Sequence, residues 1–260
     1  MYLLAILLAY SLERTLEITR NFHWRRIILR WQHWQVKSSQ LQGWRQHDLG
    51  QVLWAIIPAL AIGFVLLLVG STLLSFLVSA AGVLVAIQAP DARKAYKHYL
   101  EAVAEEDDAE QAEQLKKLQQ AAGRTEDTPV EHLLLWIHLR HYFAVLTYFV
   151  LFGITGALVY ATLRDMRHSR SPRWELANQI INWLPTRLMT LGFLLVGNFS
   201  KAAAVWLNSV GNKPQNNFIA LTKVAEQAED LTALTTVAMV KRNLLLYIVF
   251  VALLTIGGWV

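Results

Sequence analysis

The chain contains no cysteine, which excludes disulfides, thiolate metal sites and cysteine nucleophiles. Charge is scarce too. Only 17% of its 260 residues are Asp, Glu, Lys or Arg, where a soluble domain carries about a quarter. There is no P-loop, GxGxxG, GxSxG or HExxH, so phosphate cradles, serine-hydrolase elbows and zincin helices leave no signature. No internal repeat of roughly 20–50 residues is visible either. What is present is apolar: 55% of the residues are hydrophobic and ten are tryptophan. Several stretches approach the roughly 18–20 residues that a bilayer-spanning helix needs. These features predict an all-α integral membrane protein with a single membrane domain over 1–260.

Four stretches are nearly free of charge: 1–12, 52–89, 143–163 and 243–260. The first, MYLLAILLAYSL, lacks a basic beginning and a small-residue cleavage site, so it is expected to be retained. The second is long enough for two helices with a turn near Gly70-Ser71. All 24 Lys and Arg fall in 14–50, 90–142 and 163–242, and cytoplasmic loops are the usual home of such an excess. A single crossing at 143–163 would put Arg164, Arg167, Arg170 and Arg173 on the wrong side. That segment is therefore expected to re-enter as a pair of short helices broken near Gly153-Ile-Thr-Gly156, with a full crossing answered by 186–206 as the alternative. A broken helix at membrane depth is tolerated where it lines protein or a watery cavity. The expected architecture is about four transmembrane helices, a re-entrant or broken helical segment, and cytoplasmic amphipathic helices. The net charge of +5 fits basic cytoplasmic loops, and no nucleic-acid motif accompanies it.

Residues 20–50 alternate basic, aromatic and Gln/His residues, as in RNFHWRRIILRWQHWQVK, which suits an interfacial helix. Such a helix packs on the membrane domain or recognises an anionic lipid or a polyprenyl phosphate. Residues 90–128 form a helical insert on the cytoplasmic side. Its acidic block AEEDDAEQAEQ points all around a helix, the pattern of a solvated surface and not of a metal site. Thr128-Pro129 restarts a helix that carries His138, Arg140 and His141. Those histidines lie three apart with no intervening Glu, so they do not have zincin spacing; beside Arg140 they suit an anion or a proton relay. Arg164-Asp165 is an ion pair anchoring its segment or part of a site. GNKPQNNF at 211–218, with Lys213, reads as a loop.

INWLPTRL at 181–188 sets Asn182, Pro185 and Arg187 into an apolar run. Together with LERTLEITRNFHW, LLLWIHLRHY, LVYATLRD and the terminal LLTIGG, in that order and spacing, it resembles the AmpE family. The resemblance runs from end to end and is weakest over 100–128. That family is in turn similar to the CobD/CbiB synthases of cobalamin assembly, which use ATP and magnesium. The synthases carry Glu-Asn and Asp where this chain has Trp136-Ile137 and Arg140. They carry Asn-Thr-Leu-Asp where this chain has Arg164-Asp165-Met166-Arg167, and adjacent aspartates where it has Asn178-Gln179. Magnesium needs oxygen ligands, chiefly carboxylates, so the scaffold looks stripped of its metal chemistry.

The resemblance implies a multi-pass protein of the bacterial inner membrane that modulates β-lactamase induction and cell-wall recycling. The expected site is a basic, cytoplasm-facing cavity for an anionic ligand, a cell-wall fragment or a nucleotide. It would draw on Arg140, Arg164 and Arg187, with His138, His141, Asn182 and Asp165 around them. An arginine fork suits phosphate or carboxylate, and a structural arginine tying helix ends together fits the same sequence. No cofactor, metal or nucleic acid is expected; membrane lipids are, and the oligomeric state is left open. Two rivals remain, with no catalytic residue assigned. One is an ATP-dependent ligase-like enzyme using Glu13, Asp165 and Glu131; the other is a transporter.

Overall fold

The computed structural model of the chain describes residues 2–15, 23–37, 48–124, 128–166, 172–211 and 217–258. Among the described residues there are twelve α-helices, one π-helical turn and no strand. In chain order the helices are α1 (Tyr2–Thr15), α2 (Trp24–Lys37), α3 (Asp48–Val69), α4 (Thr72–Ala86), α5 (Pro90–Ala104) and α6 (Asp108–Ala122). Then come α7 (Val130–His138), the π turn (Leu139–Phe143), α8 (Ala144–Asp165), α9 (Pro172–Val196), α10 (Phe199–Val210), α11 (Asn217–Ala228) and α12 (Ala233–Ile256). They divide into two compact units, the first of residues 1–88, 144–181 and 248–260, the second of 89–143 and 182–247.

Among the described residues three helical runs are long and apolar enough to cross a membrane, Gly50–Val69, Val130–Asp165 and Ala233–Ile256, or up to four if Thr72–Ala86 and Pro90–Ala104 are one broken span. In the first unit the long apolar run breaks where its sequence suggests. Gly70 takes a left-handed φ of +62°, and the Ser71 hydroxyl accepts the Leu74 N–H at 3.4 Å to cap α4. Helix α4 packs against α1 and α8, and α3 packs against α8.

Helix α8 is not one rod. Phe152 (φ −131°, ψ 15°) and Gly153 (φ +65°, ψ −160°) leave helical geometry, and Gly153 supplies a backbone that L side chains rarely adopt. The rings of Tyr148 and Tyr160 stack at 5.1 Å and 15°. Twelve residues of straight helix would hold them about 18 Å apart, so the two arms of α8 fold back on each other. Gly156 permits the approach: a Cβ there would stand 2.6 Å from the Tyr148 carbonyl oxygen. The run Val130–Asp165 is long enough for a single span, but its second half is a hairpin.

Among the described residues two helices contain an internal proline, Pro58 in α3 and Pro185 in α9. Proline has no N–H, so the carbonyl four residues earlier loses its helical donor. At α3 that carbonyl belongs to Trp54, and the Trp31 indole N–H donates to it at 2.9 Å. At α9 it belongs to Ile181, and the Tyr148 hydroxyl donates to it at 2.7 Å. In each case an aromatic side chain from another helix replaces the missing amide.

In the second unit α5 and α6 pair as a helical hairpin. Pro90 opens α5. The Asp107 carboxylate caps α6 by accepting the N–H groups of Ala109 and Glu110, each at 3.0 Å. Gly123 closes α6 at φ +71°. The acidic block starts at the exposed bend between them and runs into the first two turns of α6, ending at the buried Gln114. Under this pair lies a continuous apolar core in which Leu118, Leu133, Leu135, Leu139, Met189, Phe193, Leu221 and Val224 are fully buried. Tyr96 and Tyr99 pack on its edge.

Candidate functional site: buried arginines at helix ends

Of the seven residues singled out in the sequence, Arg164 and Asp165 belong to the first unit, and His138, Arg140, His141, Asn182 and Arg187 to the second. The three arginines are buried, with 3% (Arg164), 8% (Arg140) and 5% (Arg187) of their surface exposed. Burial of a guanidinium demands acceptors. The acceptors share one origin: each arginine reaches the carbonyl end of a helix other than its own.

In the first unit Arg164 closes α8. Its Nη1 donates to the Ala86 carbonyl at 2.9 Å, the last residue of α4. Its Nε and Nη2 donate to the two carboxylate oxygens of Asp165 at 2.9 and 3.1 Å. The last carbonyls of a helix lack intrahelical donors and carry the negative end of the dipole, so a cation is favoured there. Asp165 lies alongside the fork and balances its charge.

In the second unit Arg140 sits in the π turn, where the backbone is wider than in α-helix, and its Nη1 donates to the Ala122 carbonyl at 3.3 Å. Ala122 ends α6. The guanidinium lies 6.0 Å from the Trp136 ring centre, at the limit for a cation–π contact. His138 Nδ1 bonds the Leu134 carbonyl at 2.8 Å, and its ring stacks on Tyr142 at 5.5 Å. His141 is half-buried in the same turn.

Arg187 joins three helices. Its Nη2 donates to the Ser209 carbonyl in the last turn of α10 at 2.7 Å, and its Nη1 donates to Asn217 Oδ1 at the start of α11 at 3.0 Å. The Trp183 ring, one turn earlier on α9, lies 5.5 Å below the guanidinium. Asn182 is buried, and its carbonyl accepts the Thr186 hydroxyl at 2.6 Å, a back-bond that bends helices slightly beside Pro185.

Reading the residue types located the arginines and missed most of their acceptors. Asn217 lies in the GNKPQNNF segment, which reads as a loop. Lys213 is outside the described residues. The Ala86, Ala122 and Ser209 carbonyls are backbone groups, with no signal in residue type. Asn243 was also missed: buried at 1%, it donates from Nδ2 to the Met189 carbonyl at 2.8 Å. Glu13 is buried in α1 and Glu131 opens α7 half-buried. Among the described residues no group of three or more His, Asp or Glu comes together in a way that could hold a metal ion. An open cavity of about 420 Å³ does exist in the first unit, at the tip of the α8 hairpin. Tyr2, Thr72, Ser75, Ser79 and Thr155 put hydroxyls around it, and none of the seven expected residues lines it.

Apolar helices of membrane length, a helix folded back on itself and arginines buried at helix ends define an all-helical protein of membrane type. Over residues 6–260 the chain matches the model of one family, described as regulatory signalling modulator protein AmpE, and it belongs to that family. Protein AmpE of Shigella flexneri is 27% identical to it over 266 residues, covering 87% of this chain and 92% of that protein. No solved structure matches.

Proposed function

We propose that the protein is a multi-pass component of the bacterial inner membrane that modulates β-lactamase induction and cell-wall recycling. Membership of the regulatory family across 6–260 carries this reading. Arg140, Arg164 and Arg187 each hold a helix end. In this reading α8 re-enters the membrane without crossing it, which keeps the cationic segments in one compartment as the charge bias favours.

The test is deletion in a host with an inducible β-lactamase. Loss of the gene changes the induction ratio after β-lactam exposure, and the wild-type chain restores it. Arg187→Gln, present in the membrane at wild-type level, restores it incompletely. An induction ratio untouched by deletion would end the proposal.

A second proposal concerns an anionic ligand, a cell-wall fragment or a nucleotide, met in the second unit by Arg140, Arg187, His138, His141 and Asn182. Its support is chemical: a guanidinium has five N–H donors in a fork suited to phosphate or carboxylate. Purified protein then shows a thermal shift with an anhydromuropeptide that Arg140→Gln removes. Magnesium-dependent ATP binding lost in Asp165→Asn would favour the ligase-like alternative, and counterflow in liposomes the transporter.

A further inference from the structure

Helix α2 reads WRRIILRWQHWQVK and contains four basic residues and no acidic one. Its inner stripe is Trp24, Ile28 and Trp31, at the i, i+4, i+7 spacing of one helical face. Trp24 and Ile28 are buried. The Trp24 indole N–H donates to the Thr162 hydroxyl at 2.9 Å. The Trp31 indole donates to the Trp54 carbonyl at 2.9 Å and stacks on the Trp54 ring at 4.7 Å and 11°.

These two anchors set a depth. Thr162 lies three residues before Asp165, the polar end of the α8 return arm, and Trp54 lies four residues after Gly50, where the apolar length of α3 begins. At 1.5 Å per residue both anchors stand about 5 Å inside the polar ends of apolar helices, and along α2 they are about 10 Å apart. With those two polar ends at one membrane face, a helix held at both points lies along the membrane plane, at the height of the headgroups.

The outward face matches that height. Arg26, Leu29, Arg30, His33 and Trp34 line an open groove of about 430 Å³. Arg26, Arg30 and His33 again follow i, i+4, i+7, on the side away from the inner stripe. Trp34 is 69% exposed and Leu29 41%, apolar area that water disfavours and the headgroup boundary favours. We infer that α2 is a docking surface for anionic phospholipid, with Arg26, Arg30 and His33 meeting the headgroup phosphate and Trp34 and Leu29 resting among the upper acyl carbons. Charge complementarity selects the occupant: each basic residue near an anionic surface raises headgroup enrichment about five-fold. The inference rests on the placement of α2 and is independent of the regulatory role.

The experiment uses the full chain in phosphatidylcholine nanodiscs containing equal amounts of either brominated phosphatidylglycerol or brominated phosphatidylcholine. The wild type shows greater tryptophan quenching by the anionic probe. Arg26→Gln/Arg30→Gln loses more than half of that excess, Trp34→Phe removes part of the quenched signal, and the charge-keeping Arg26→Lys/Arg30→Lys retains most of the excess. No excess in the wild type overturns the inference, as does an excess unchanged in the glutamine pair or lost equally in the lysine pair. Abolition of the excess by millimolar inorganic phosphate also overturns it, since the site would then belong to a free anion.

Discussion

Helices α3 and α7 are both strongly apolar, and they use their residues in opposite ways. Helix α7 buries its large side chains: Leu133, Leu134, Leu135, Trp136 and Ile137 are all at or below 6% exposure. Helix α3 buries Ala55 and Ala59 and turns Leu53, Leu60, Phe64, Leu67 and Leu68 outward. The short helix α1 mixes the two patterns: Ala5, Ala9 and the larger Ile6 are buried, and Leu4, Leu7 and Leu8 are exposed. Large-inside packing gains most from the hydrophobic effect where water lies outside. Small-inside packing is what helices do when their surroundings are as apolar as leucine, because close backbone approach is then the chief gain. Hydropathy alone does not separate the two patterns; the position of the alanines does.

That contrast can be tested by substitution. Leu135→Ala, in the fully buried layer, is expected to destabilise the detergent-solubilised protein by about 2–5 kcal/mol, and Leu67→Ala by less than about 0.5 kcal/mol. Equal shifts in unfolding temperature for the pair would erase the distinction between α7 and α3. Ala59→Leu overfills the α3 seam and is expected to cost about 1–3 kcal/mol, seen as a lowered unfolding temperature despite the gain in hydropathy. The smallest effect sharpens the picture at the proline of α9. Tyr148→Phe keeps the ring stack on Tyr160 and removes the donor to Ile181, a loss of about 1 kcal/mol, read as faster hydrogen exchange around residue 181.

Much of this was visible in the residues. Runs of apolar side chains marked the helices, Gly70-Ser71 marked the first break, and Gly153 marked the second within one position. Isolated arginines in apolar surroundings marked the places where buried charge had to be answered. Their partners were hidden for a physical reason. Arg164 donates to the Ala86 carbonyl, 78 residues away, and a backbone carbonyl looks the same in every residue. The π turn at Leu139–Phe143 was hidden as well, because one extra residue in a helical turn leaves the apolar pattern almost unchanged.

The two prolines carry an asymmetry between a gene's easy and hard mutations. Exchanging Pro58 for alanine would bring in an amide that competes with the Trp31 indole for one oxygen, and either winner satisfies it. Exchanging Trp31 for alanine leaves that oxygen with neither suitor, since the proline has nothing to offer. The aromatic donor, an indole N–H in one couple and a phenol hydroxyl in the other, is thus the less replaceable member, and a lineage that loses it is expected to lose the proline soon afterwards.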